Sequence, residues 1–140
     1  MTASVSSAPA NSTADLAAFV LRVTSGVLFL LHAGLKIFVF TPAGTAGFFQ
    51  SIGLPGPLAY LVILIEVVGA IALIVGYKVR IVAPILAVLL LGTIVTVHYA
   101  AGFFFMNPNG GWEYPAFWAI TLIATALLGD GAYSIGKKSA

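Results

Sequence analysis

Four long apolar stretches, separated by short breaks rich in glycine, proline or charge, set the pattern of this chain. They run over about 16–40, 57–76, 81–102 and 112–129, each near the roughly 20 residues a helix needs to cross about 30 Å of hydrocarbon. The pattern predicts an all-α integral membrane protein, a four-helix bundle whose two termini share one side. Residues 1–14, MTASVSSAPANSTA, are small and polar without periodicity and read as a disordered tail. The helical domain is then 15–131, followed by a short basic tail over 132–140. No Lys or Arg precedes Arg22 and the first apolar stretch runs on to Phe40, so that segment is expected to be retained as a span rather than removed as a leader.

The first connection, TPAGTAGFFQSIGLPGP, mixes helix breakers at Pro42, Gly44, Gly47, Gly53, Pro55 and Pro57 with the interface-seeking Phe48, Phe49, Ile52 and Leu54. It is expected to form a short interfacial helix or re-entrant cap. The second and third spans are joined by the tight turn Tyr77-Lys78-Val79-Arg80, and the third and fourth by the loop FFFMNPNGG.

Composition agrees with a lipid environment. Of 140 residues, 61% are hydrophobic and 7% charged, with a mean hydropathy of +1.11, whereas a soluble domain is about 25% charged. There are no cysteines, so the chain brings no disulfide, no thiolate nucleophile, no iron–sulfur ligation and no covalent c-type haem attachment. The net charge of +2 reports topology rather than nucleic-acid binding. Lys78 and Arg80 in the second connection and Lys137 and Lys138 after the last span fall on one side, which the positive-inside rule makes cytoplasmic. The protein is therefore expected in the cell (inner) membrane with both termini inside.

A charged group in the bilayer costs about 2.5 to 3.5 kcal/mol or more unless it is paired or hydrated. Six ionisable residues need a reason: Arg22, His32, Lys36, Glu66, His98 and Glu113. Arg22, His32 and Lys36 lie near one face of the first helix, with Ser25 and Gly26. Glu66, about 14 Å down the second span at about 1.5 Å per residue, sits near the middle of the bilayer. His98 and Glu113 fall near the outer ends of the third and fourth spans. The bland reading is structural: Lys36 pairs with Glu66 or Glu113, Arg22 takes the remaining carboxylate, and the pairs fix helix register. The functional reading makes the cluster a ligand site.

The histidines divide in the same way, between neutral imidazoles in a polar pocket and a bis-histidine b-type haem. Lys36, one turn from His32, speaks against haem. No metal site is expected. In Asn109-Gly110-Gly111-Trp112-Glu113-Tyr114-Pro115, the glycines allow a tight entry and Pro115 suits a first helical turn. Trp112 and Tyr114 are interfacial-belt residues or the walls around a planar ligand. Gly26, Gly34, Gly69, Gly76, Ala83 and Gly92 read as helix-packing contacts. HAGLKIF and HYAAGFF, ending the first and third spans, form a weak internal echo.

At these residues the chain resembles the DoxX family of small bacterial and archaeal membrane proteins. The resemblance covers about residues 16–130. It is carried by Leu21-Arg22, His32-Ala33-Gly34-Leu35-Lys36, Phe48-Phe49 with Gly53-Leu54-Pro55, Glu66 with Gly69, Thr96-Val97-His98, and NGGWEYP. It implies a four-helix membrane bundle associated with oxidoreductase systems. Relatives include a subunit of an archaeal thiosulfate:quinone oxidoreductase and partners in membrane oxidant-defence complexes, so oxidative stress is an implied setting. Fold transfers across so mixed a family better than function does.

These readings together predict a membrane subunit that binds a quinone-like, lipid-soluble redox ligand in the outer half of the bundle. Arg22, His32, Lys36 and His98 would donate hydrogen bonds to it, Trp112 and Tyr114 would wall it, and Glu66 and Glu113 would exchange protons. Electrons would come from a redox enzyme partner. The alternatives are a non-catalytic scaffold or chaperone that recruits such an enzyme, and a small-solute transporter, for which this chain would have to form a homo-oligomer.

Overall fold

A computed structural model describes residues 10–136. The chain is an all-helical membrane bundle. Helix α1 runs over Thr13–Gly34 and continues through a π-helical turn, Leu35–Val39. It is followed by α2 (Pro42–Ser51), α3 (Pro57–Val75) and α4 (Val79–Thr93). A second π-helical turn, Ile94–His98, and a 3₁₀ turn, Tyr99–Ala101, prolong α4 before α5 (Glu113–Leu128). Three segments, Thr13–Val39, Pro57–Val75 and Val79–Ala101, are long and apolar enough to cross a membrane. The fourth predicted span is a shorter apolar helix of 16 residues, about 24 Å long at about 1.5 Å per residue.

Helix α1 begins earlier than its apolar run suggests because Ser12 and Asp15 form a capping box. The Ser12 hydroxyl accepts from Asp15 N–H at 3.0 Å, and the Asp15 carboxylate accepts from Ser12 N–H at 3.1 Å. Residues 12–14 of the expected tail are thus used to start the helix, while 1–9 lie outside the described residues. Small residues let the helices approach. A Cβ on Gly26 would come within 2.8 Å of the Ala70 carbonyl, holding α1 close to α3, and one on Gly69 would press on Leu86 across the α3–α4 seam. Gly34 and Gly92 have no such neighbour. Gly76 instead ends α3 in the left-handed conformation at φ +73°. The principal contacts are α1 with α3 and α4 with α5. The core between them is built from Phe29, Leu73, Leu86, Leu90, Trp118 and Leu122 with intervening alanines. Leu64, Val68, Ile81, Ile85, Val88 and Ile120 point outward, the expected surface where the solvent is hydrocarbon.

Arg22 organises one end of the bundle. It is fully buried, and its guanidinium donates to the carbonyls of Leu73 (2.9 Å), Ile74, Asp130 (2.9 Å) and Ala132 (2.6 Å). Two of these carbonyls belong to the last turn of α3, where a cation complements the helix dipole. The other two lie in the segment after α5, which is laced across the same end. Ala132 N–H donates to Asp15 O, and Ile135 and Gly136 N–H donate to Val75 and Gly76 O. Asp130 Oδ1 accepts from Val79 N–H at 2.9 Å, at the start of α4. Residues 132–136 of the expected basic tail are therefore part of the bundle's closure; Lys137 and Lys138 lie outside the described residues.

Arg22→Leu removes the guanidinium from four backbone carbonyls, of which Leu73 O keeps Gly76 N–H, and is expected to destabilise the protein by at least about 3 kcal/mol. The thermal midpoint in mild detergent measures this, and an unchanged midpoint would contradict the structural role.

Candidate functional site

At the opposite end from Arg22, the bundle opens around the side chains of His32, Lys36, Glu66 and His98. Each is placed by a local feature of its helix. The His32 ring bonds its Nδ1 to Leu28 O at 2.8 Å, one turn back on α1. Lys36 lies on the π-helical turn that follows, and His98 ends the corresponding turn on α4. Such turns widen the helix by one residue and alter which side chains face inward, and they recur at functional sites. Lys36 Nζ reaches both carboxylate oxygens of Glu66, at 2.9 and 3.0 Å. The glutamate is almost wholly buried and the lysine partly exposed, with side-chain exposures of 4% and 21%. Of the pairings open in the sequence, Lys36 with Glu66 is the one that forms, and it offsets the cost of two charges in an apolar interior.

A cavity of about 730 Å³ adjoins this pair. Its walls are mostly apolar. Phe29 and Trp118 form the floor with ring centroids 4.4 Å apart; His32 lies 5.3 Å and Tyr114 5.8 Å from the Trp118 ring. Helix α2 covers one side with Thr45, Phe48 and Phe49. The chain is turned back to this position at Thr41, which holds φ +64°, uncommon for a β-branched residue, while its hydroxyl accepts from Gly44 N–H at 3.1 Å. The loop before α5 closes another side through Phe105, Gly110 and Gly111. His98 fastens it, with its Nδ1 2.7 Å from Gly110 O.

A carbonyl oxygen only accepts, so both imidazoles carry a proton on Nδ1 and leave Nε2 without a protein partner. When neutral, each Nε2 accepts a hydrogen bond; when protonated, each donates one. Alone among the described residues, Trp118 has a buried side-chain polar atom with no partner, its indole Nε1–H. A largely apolar cavity of a few hundred cubic ångströms with a few convergent polar groups suits a planar, lipid-soluble small molecule. Among the described residues no group of three His, Cys, Asp or Glu could hold a metal ion.

The structure brings His32, Lys36, Glu66, His98 and Tyr114 to the cavity and leaves three other candidates outside it. Arg22 is engaged at the far end. Glu113 Oε1 accepts from Phe105 N–H at 3.0 Å, and Trp112 packs edge-on against Phe103 with centroids 4.8 Å apart. Both hold the loop in shape. Gly110 takes φ +70°, and a Cβ on Gly111 would collide with the Phe103 and Phe104 carbonyls, so the paired glycines make the tight entry that the sequence suggested. Trp118 was missed, although Tyr114 and Trp118, four apart, mark one helical face. Asp130 was missed as well; its signal was a carboxylate between two glycines directly after an apolar helix.

His98→Ala unfastens the loop. Amide hydrogen exchange over residues 103–112 is expected to rise about tenfold, the loss of about 1.4 kcal/mol. Unchanged protection would show that the His98–Gly110 bond does not hold the loop.

The family model DoxX matches residues 17–99. The chain is also 36% identical over 120 residues to a protein of Bacillus subtilis (strain 168) named "Putative oxidoreductase CatD", covering 86% of this chain and 84% of that one. No solved structure matches.

Proposed function

This chain belongs to the DoxX family of small membrane proteins, and on that premise we propose that it is the membrane subunit of an oxidoreductase system, binding a quinone-like ligand in the cavity. The observation that carries this reading is the convergence of His32, His98 and the Lys36–Glu66 pair on one apolar, aromatic-floored cavity of about 730 Å³. That volume lies inside the range of about 300–1,000 Å³ usual for small-molecule sites. The name of the Bacillus relative supports a redox setting.

In this reading the Nε2 atoms of His32 and His98 contact the ligand's oxygens, and Tyr114 stands at the rim. Two-electron reduction of a quinone consumes two protons. Glu66 and Lys36, hydrogen-bonded to each other, are the groups at the cavity wall able to pass a proton onward. The electrons come from a partner redox enzyme, since the chain has no cysteine to carry them. Lys78 and Arg80 lie at the bundle end opposite the cavity, beside Asp130 and Gly129. The positive-inside rule makes that end cytoplasmic and puts the cavity in the outer half of the cell membrane.

The direct Lys36–Glu66 contact also favours a second reading, in which the pair is structural glue in a scaffold that recruits a redox enzyme. Decylubiquinone titrated into nanodisc-embedded protein separates the two. Saturable binding above that of empty nanodiscs is expected. It should weaken at least about tenfold, about 1.4 kcal/mol, in a His32→Ala, Glu66→Gln variant. The exchanged pair Lys36→Glu, Glu66→Lys should regain thermal stability relative to either single change without regaining affinity. No saturable binding to the unaltered protein would favour the scaffold; full affinity in the exchanged pair would keep the ligand site and reduce the pair to glue.

A further inference from the structure

We infer that the loop between α4 and α5 is a lipid-binding wedge rather than an aqueous connection: Phe103, Phe104, Phe105 and Met106 insert among phospholipid chains at the headgroup boundary on the cavity side of the membrane. The inference needs only the membrane bundle and holds whatever the cavity contains.

Helix lengths fix the depth of the loop. At the Arg22 end α4 and α5 share one level, because Val79 N–H, at the start of α4, donates to Asp130 Oδ1, two residues past the end of α5. From that level α4 and its continuation rise through 23 residues to Ala101, about 34 Å at about 1.5 Å per residue. Helix α5 has 16 residues and reaches only about 24 Å by the same rise. The loop therefore descends about 10 Å beside the last turns of α4. The hydrogen bond from His98 Nδ1 to Gly110 O, at 2.7 Å, records that descent. Hydrocarbon about 30 Å thick ends within the same interval.

At this level the loop presents four consecutive large apolar side chains, whose exposure runs from 46% at Phe103 to 78% at Met106. They continue the outward face of α4, where Val95 and Tyr99 are also exposed. No Asp, Glu, Lys or Arg occurs between Arg80 and Glu113, so the patch has no formal charge to offer a polar partner. Acyl chains need none, and phenylalanine rings suit the boundary between headgroups and chains.

The backbone is arranged for such a place, where hydrogen-bonding water is scarce. The carbonyls of Gly102 and Phe103 accept from Trp112 and Glu113 N–H, both at 3.0 Å, and that of Phe104 accepts from Asn107 and Gly111 N–H. Phe105 N–H donates to the Glu113 carboxylate. Phe105 also lines the cavity, so the wedge stands between the cavity and the leaflet.

The chain has no cysteine, so a single introduced one carries a nitroxide label without background. Phe104→Cys and Met106→Cys test the wedge. Val88→Cys, on the outward face of α4, is the hydrocarbon reference, and Ala10→Cys, ahead of α1, is the aqueous one. Power saturation in nanodiscs compares collisions with oxygen, which concentrates in lipid, and with a neutral nickel chelate, which stays in water. The oxygen-to-nickel ratio at both test positions should exceed that at Ala10 at least about fivefold, toward the Val88 value. A ratio equal to that of Ala10 at either position would overturn the inference. So would low access to both reagents, which would mean that another protein surface or a second copy covers the patch. Helical circular dichroism equal to that of the unaltered chain shows that each labelled variant folds.

Discussion

Charge inside hydrocarbon is the constraint on which this architecture depends. An uncompensated cation or carboxylate there costs several kilocalories per mole, and the chain meets that cost differently at its two ends. At one end Arg22 directs its donors to backbone carbonyls at the end of α3 and in the segment after α5. At the other, Lys36 and Glu66 compensate each other across α1 and α3. The first solution ties loose backbone ends and leaves no space. The second uses side chains alone, and the cavity develops beside it.

The asymmetry explains why one end is closed and the other open. The segment from Gly129 to Gly136 crosses the Arg22 end and bonds to α1 and α3. The cavity end is covered by α2, a short helix turned back at Thr41, and by a loop fastened to His98. These covers rest on few polar anchors, the kind of element that opens at lower free energy than a packed core. A lipid-soluble molecule entering the bundle would meet them rather than the Arg22 clamp. The two π-helical turns lie at this end as well. They do not fall in register with the sequence echo between HAGLKIF and HYAAGFF, since one follows His32 and the other ends at His98.

The helices were legible in the sequence because hydropathy and span length are set by the bilayer, and each apolar run could be read by itself. The pairing of Lys36 with Glu66 was legible as one of two options, since opposite charges at matching depth have few alternatives in lipid. Arg22 was not legible as a clamp. Its partners are backbone carbonyls, which every residue possesses, so no side-chain pattern announces them. Glu113 and Trp112 were read as site residues from a dense polar word whose members turn out to shape the loop, while Tyr114, next in the chain, reaches the cavity. Trp118 escaped notice because an aromatic residue within an apolar helix is the ordinary content of a core. That its buried indole N–H lacks a partner emerges only when the hydrogen bonds are counted. Ser12 and Asp15 show the same limit at smaller scale: a capping box hidden in a polar tail extended α1 beyond its apolar run.

The central claim is that the cavity beside Lys36 and Glu66 holds a lipid-soluble redox molecule, and the most direct measurement is to see what accompanies the protein from its own membrane. Solvent extraction of protein purified in mild detergent, followed by mass spectrometry, would quantify bound small molecules per chain. A quinone present near one per chain, and enriched over its abundance in the surrounding lipid, is the predicted result. Quinone at or below its bulk membrane level, with only phospholipid retained, would contradict the account.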